Sequence, residues 1–348
     1  MGEPNPQAQH RDLPSLTGLR AVASIAVFVN HSDFFLGATS WTVGWSAIRP
    51  VGVCGLLLFF VLSGYLLGQP GTLRGGGRSY TARRIARIYP VYLPALALAV
   101  ASMVRWGLGD QALRPWTLLQ NLLLVQSWNP RGEAASISLP AWSLSVELLF
   151  YAVLPLTLNP FTRACRVRPA LTLALVVAAA LLGGEALRLS WVWPTFPPAY
   201  LPVFYLGTWA AVRGLAGLWS LAGAVVLASA AVLGYLCWAN LALPGLAFLV
   251  LVATLARKDR AGRCLLGGVW QRTGAWSMPF FLLHLEVLDL LAIVVPEPAR
   301  TVPGGLFLGG LVFAGSVLAA AAAHRFVEEP GRRWVMRLAS GQRRAARA

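Results

Sequence analysis

Arg20 and His31 lie in one apolar stretch, Leu16 to Leu36, eleven positions apart. Eleven residues is about three turns of α-helix and leaves an angular offset of roughly 20°. The two side chains therefore share one helix face, roughly 16 Å apart along its axis. A neutral imidazole can take a proton from a hydroxyl, and a guanidinium can hold an anion. Ionisable groups inside a membrane segment are costly, and they usually face a bundle interior or a wet cavity. The same spacing also fits an arginine that snorkels to the interface and a histidine that caps the far end of the helix.

A second constellation is Ser143, Glu147 and Tyr151, spaced i, i+4, i+8 and therefore on one stripe. Glu147 falls about two turns into an apolar helix, where a carboxylate needs a partner or a proton. It could orient a histidine, as in nucleophile–base–orienter sites, or it could link two helices. Arg83 and Arg87 make an i, i+4 fork with Arg84 beside them, which suits phosphate groups and equally suits ordinary interface anchoring. Ser63 and Gly64 form a small-residue spot where another helix or a ligand can approach. His284 shares SMPFFLLHLEVLD with Glu286 and Asp289, but Glu286 is about 200° around the helix from it. His324 with Glu328, and Arg325 with Glu329, read as i, i+4 interface pairs.

The elements that must position these groups are membrane spans. The chain has 348 residues, of which 57% are hydrophobic and 12% charged, and a mean hydropathy of +0.63. Ten segments approach the length of a bilayer crossing: 17–36, 51–68, 88–106, 140–159, 170–189, 200–213, 218–237, 240–256, 276–295 and 304–325. Arg20 inside the first argues against a cleaved signal peptide. The net charge of +16 is not a nucleic-acid signature, because the basic residues cluster in short loops. With both termini cytoplasmic, ten spans assign 23 of the 29 basic residues to the cytoplasmic side, the positive-inside pattern, which also suits anionic lipid headgroups. Residues 116–128 are apolar but too short to span, and counting them would destroy that bias. They read as a re-entrant or interfacial helix on the outer side, where Trp116, Asn121, Gln126, Trp128 and Asn129 could line a mouth. The four cysteines, Cys54, Cys165, Cys237 and Cys264, show neither a CxxC pair nor metal-ligand spacing, so no metal is expected. The sequence reads as one polytopic domain, 1–337, and a basic, disordered tail, 338–348.

In this order the motifs resemble membrane-bound acyltransferase family 3. LTGLRAVASIAVFVNH looks like its opening motif, LFFVLSGYLL its second-helix motif and RRIARIYPVYL its arginine-rich entry to the third helix. LPAWSLSVELLFYAVLPL resembles its tryptophan–serine–glutamate helix, MPFFLLHLEVL its late histidine segment and RFVEEPGRRW its closing motif. Asn30 before His31, and Tyr65 after the Ser-Gly, depart from its commonest pattern.

The resemblance implies transfer of an acyl group, commonly acetyl, from a coenzyme A thioester to a hydroxyl or amine. No permanently bound cofactor is expected. It implies His31 as base and Arg20 as the essential arginine below it; from the stripe on its own helix, Glu147 is expected as a third catalytic group. Donor contacts would come from Arg83, Arg84, Arg87, Ser63 and Tyr65, and acceptor contacts from Trp142, Ser143, Ser145, Tyr151 and His284. The expected acceptor is a glycan, a glycolipid or a small secondary metabolite such as a macrolide. The expected form is stand-alone, without the hydrolase-like domain some members carry. The Ala/Arg/Gly-rich, Lys-poor composition points to a high-GC bacterium, and the expected location is its plasma membrane, as a multi-pass protein. A proton-coupled transporter using the same Arg, His and Glu groups is the alternative, although no internal repeat of the transporter kind is present.

Overall fold

A computed structural model describes residues 13–31, 50–130, 136–214, 220–238, 241–294 and 302–345. The architecture is all-α, with no strand among the described residues. In chain order the helices are α1 (Pro14–Asn30), α2 (Pro50–Leu67), α3 (Gly76–Arg105), α4 (Pro115–Leu122), α5 (Trp142–Val167), α6 (Pro169–Arg188), α7 (Pro197–Arg213), α8 (Leu221–Trp238), α9 (Ala242–Arg260), α10 (Val269–Ala275), α11 (Ser277–Val294), α12 (Val302–Ala323) and α13 (Glu329–Ala345).

A helix lies in each of the ten apolar segments of the sequence. By length and composition four helical stretches qualify as bilayer crossings: Gly76–Arg105, Leu139–Val167, Pro169–Arg188 and Gly304–Ser340. The pair Val269–Ala275 and Ser277–Leu291 makes a fifth, bent by 70°. Pro14–Asn30, Val51–Leu67 and Leu221–Ala230 are apolar but shorter. Residues 32–36 of the first expected span, and Arg11, Arg49, Arg131, Arg300 and Arg347 of the charge pattern, lie outside the described residues.

The centre of the bundle is a close crossing of α2 on α7. A Cβ added at Gly64 would sit 1.9 Å from the Phe204 carbonyl oxygen, and one at Gly207 would sit 2.0 Å from that of Val61. Both positions therefore require glycine, and the backbones touch as in other small-residue membrane crossings. The Thr208 hydroxyl donates to the Gly64 carbonyl at 3.1 Å across the same contact. Phe60, Phe204 and Phe150 stack beside it at 4.5 and 4.4 Å. The Ser-Gly pair thus divides its work: Gly64 packs the helices and leaves Ser63 to face α5.

The segment between α3 and α5 is held as a folded insertion. Asn121 and Gln126 are fully buried. The Asn121 side chain accepts from the Ile137 amide (3.1 Å) while its main-chain carbonyl accepts from Tyr92 Oη (2.6 Å), and the Gln126 side chain donates to the Ala141 carbonyl (3.0 Å). These two amides pin the turn and do not line a mouth, whereas Trp116 and Trp128 are exposed. The expected short helix is α4 followed by a 3₁₀ turn at Gln126–Trp128.

At the other end, α12 passes through a π-helical turn, His324–Glu328, into α13. A π turn widens the helix and brings i and i+5 together. His324 accordingly pairs with Glu328 at 2.8 Å, as the spacing suggests, and also reaches Glu329 at 3.7 Å. Glu329 takes Arg333 (2.8 Å) in place of the expected Arg325. The stretch beyond Arg337, expected to be a disordered tail, is helical to Ala345. Its arginines and alanines are good helix formers, and exposed Trp334 and Leu338 give the helix an apolar face.

Candidate active site

The site is built around α1, and α1 is fixed from a distance. Asp259, near the end of α9, accepts from the Ser15 amide at 2.9 Å and from its hydroxyl at 2.5 Å. Ser15 Oγ in turn accepts from the Leu265 amide at 3.0 Å. An aspartate thus caps the first turn of α1 in trans, satisfying an otherwise orphan donor and placing negative charge at the positive end of the helix. Asp259 is the acid in ARKDR, a basic run. That contrast was the available cue to its role.

Below the far end of α1 a small pocket opens between α1, α2, α5 and α11. Arg20, Ser63, Ser143, Glu147, Ser277 and Phe281 line it. Arg20 is partly buried, and its Nε finds no hydrogen-bond partner. Glu147 accepts from Ser63 Oγ at 2.9 Å and from the Tyr151 hydroxyl, both on the same carboxylate oxygen. The i, i+4 stripe on α5 is therefore real, and Tyr151 serves the carboxylate. The guanidinium of Arg84 lies 5.4 Å from the Tyr151 ring centre and 5.7 Å from that of Tyr80. Arg87 also lies within electrostatic reach of Tyr151.

At the end of α1, His31 is the C-cap residue. Its Nδ1 is 2.8 Å from Nε2 of His284 on α11, and the rings are 4.9 Å apart. His284 is 1% exposed. Its other nitrogen, Nδ1, is 2.9 Å from the Phe281 carbonyl oxygen and 3.3 Å from that of Phe280. Phe28 packs edge-on and Phe280 stacks on His284, and Phe313 packs edge-on against both phenylalanines.

The structure brings some of the sequence candidates together and separates others. Arg20, Ser63, Ser143 and Glu147 share the pocket, with Tyr151 behind the carboxylate. His31 and His284 form a second group beyond the pocket lining. Glu147 is hydrogen-bonded to Ser63 and Tyr151, and His31 is hydrogen-bonded to His284. Arg83 is engaged elsewhere: it donates to Ser79 Oγ (2.7 Å) and to the carbonyls of Thr72 (2.8 Å) and Arg74 (3.3 Å), closing the loop before α3. The inward pair is Arg84 with Arg87, spaced i, i+3, because the Tyr80–Arg84 face of α3 is the one turned to α5. Tyr65 is buried under Arg260, whose guanidinium lies 6.0 Å from its ring. Ser145, about 200° around the helix from Ser143, is buried with its hydroxyl unpartnered. Trp142 packs on Tyr200 at 5.6 Å. Ser277 and Phe281 belong to the site and were not singled out from sequence. Their signal was position: they lie seven and three residues before His284, on its helix.

With this geometry in view, the comparisons are specific. Residues 13–321 match the acyltransferase domain that defines acyltransferase family 3. The chain is 30% identical over 311 residues to Acyltransferase MdmB of Streptomyces mycarofaciens, covering 79% of each protein. It is 28% identical over 208 residues to Peptidoglycan O-acetyltransferase OatA of Listeria monocytogenes, covering 53% of this chain and 30% of that protein. To the Exopolysaccharide production protein ExoZ of Rhizobium meliloti it is 32% identical over 131 residues, covering 37% of this chain and 41% of that protein. No solved structure matches. A match along nearly the whole chain, on a helical membrane scaffold that gathers Arg20, Glu147 and the two histidines around α1, makes this protein a member of acyltransferase family 3.

Proposed function

We propose that the protein moves an acyl group, most simply acetyl, from acyl-CoA to a hydroxyl of a glycan, glycolipid or small secondary metabolite, with His31 as general base. The observation that carries this reading is the histidine pair at the end of α1, standing about three turns above the Arg20 pocket on the same helix face. In the reaction His31 takes the proton of the acceptor hydroxyl as its oxygen attacks the thioester carbonyl carbon. The tetrahedral intermediate collapses, the C–S bond breaks, and the thiolate of CoA receives the proton from His31. A thioester needs no metal for this, only a base and stabilisation of the developing oxyanion.

On this reading ten spans cross the membrane, both termini are cytoplasmic, and CoA stays at the basic face. Its phosphates would be desolvated at large cost in the bilayer, so Arg84 and Arg87 hold them there. The pantetheine arm passes through the pocket, where Arg20 Nε and the hydroxyls of Ser143 and Ser277 offer hydrogen bonds to its amides. The name of the Listeria relative supports O-acetylation of a glycan, and coverage of most of MdmB supports an acyltransferase of this size.

The test is the purified protein in lipid nanodiscs, given isotope-labelled acetyl-CoA and a panel of peptidoglycan fragments, exopolysaccharide units and hydroxylated secondary metabolites. Mass spectrometry should find labelled ester on one class of acceptor, with one CoA thiol released per ester. Transport of a solute across proteoliposomes without ester formation would contradict the proposal.

A further inference from the structure

We infer that His284 is a positioning residue that fixes the tautomer of His31. This deepens the proposed function and rests on His31 being the base. A carbonyl oxygen only accepts hydrogen bonds. The Phe281 carbonyl 2.9 Å from His284 Nδ1 therefore requires a proton on that nitrogen. A neutral imidazole carries one N–H, so His284 Nε2 bears a lone pair and accepts. The atom 2.8 Å away, His31 Nδ1, must then donate. That places the single N–H of neutral His31 on Nδ1 and the lone pair on Nε2, the nitrogen directed away from His284.

The relay has three members: a backbone carbonyl, His284 and His31. Its logic is that of a base held by an orienting partner, with a main-chain carbonyl in place of the usual carboxylate. A carbonyl on α11 costs less to bury than a carboxylate because it carries no net charge. It also cannot change protonation state, so the direction of the relay is set by the helix itself. Phe280 and Phe281, whose carbonyls both face His284 Nδ1, keep the ring seated in an apolar wall. Rotation about the ring bonds is thereby restricted for both histidines. Glu286, on the same helix, points about 200° away and leaves this task to His284.

The substitution series uses full-length protein in nanodiscs. His284→Leu removes the acceptor for His31 Nδ1–H, and His284→Gln restores an acceptor oxygen while its amide can still donate to Phe281. We expect His284→Leu to lower kcat about 10²-fold, the scale of a misplaced reacting group, with KM for acyl-CoA unchanged. His284→Gln should recover most of that loss, and adding His284→Leu to His31→Ala should cost nothing further. Solid-state NMR of ¹⁵N-histidine-labelled wild type, assigned by subtracting the His31→Ala spectrum, should show His31 protonated on Nδ1. That measurement decides the matter even if a His284 variant fails to fold. A His31 signal protonated on Nε2 overturns the inference. So does near-wild-type turnover of His284→Leu while His31→Ala is inactive, or equal impairment of the Leu and Gln variants. Wild-type turnover of His31→Ala would instead overturn the proposed function.

Discussion

Two polar groups line the inner side of the bundle, one around half-buried Glu147 and one around the His31–His284 pair, and they are wired differently. Glu147 collects: Ser63 and Tyr151 both donate to one of its oxygens, and Arg84 covers the tyrosine. Two donors converging on one oxygen hold the carboxylate in a single orientation. The His31–His284 pair is a chain: His31 meets His284 through one ring nitrogen each, and the chain ends on the Phe281 carbonyl. On the proposed reading, the donor passes the pocket and the histidines supply the exchangeable proton.

The largest effect separates the two groups. His31→Ala should lower kcat by about 10²–10⁴-fold, the usual cost of losing a general base. Glu147→Gln should cost only about tenfold, since an amide oxygen still accepts from Ser63 and Tyr151 and only the charge is lost. Steady-state kinetics on both variants checks this, and equal losses would place Glu147 among the reacting groups. Next come the arginines. Arg84→Ala and Arg87→Ala should each raise KM for acyl-CoA several-fold, with a smaller effect for acyl-pantetheine, which lacks the adenosine phosphates. Arg83→Ala should leave KM alone and lower thermal stability, because its donors hold the carbonyls of Thr72 and Arg74. Smallest of all, Asp259→Ala should destabilise the protein by about 2 kcal/mol through the lost α1 cap and leave kcat nearly unchanged at temperatures where the protein is folded. A thermal-shift assay in detergent reads both stability effects.

What could be read from the sequence follows from helical geometry. The Ser143–Glu147–Tyr151 stripe and the His324–Glu328 pair depend on periodicity within one helix, and both are present. The partners across helices were not legible. Nothing local says that Glu147 meets Ser63 rather than His31, or that Arg84 rather than Arg83 turns inward. Those choices depend on how the helices rotate when α2 and α7 lock at Gly64 and Gly207. The buried roles of Asn121 and Gln126 were hidden for a related reason: a polar residue in a short apolar segment serves a mouth or a turn equally well until the turn's carbonyls are placed. The π turn at His324–Glu328 changes a register that the i, i+4 rule assumes constant, and so Glu329 changes partner.

The central claim is that His31 moves a proton and does not merely hold the donor. The most direct measurement is a single-turnover experiment on His31→Ala with labelled acetyl-CoA pre-bound and the acceptor then added. The account predicts donor affinity within about two-fold of wild type and a transfer step slowed by at least about 10². Transfer at the wild-type rate, or a loss explained wholly by weaker donor binding, would contradict it.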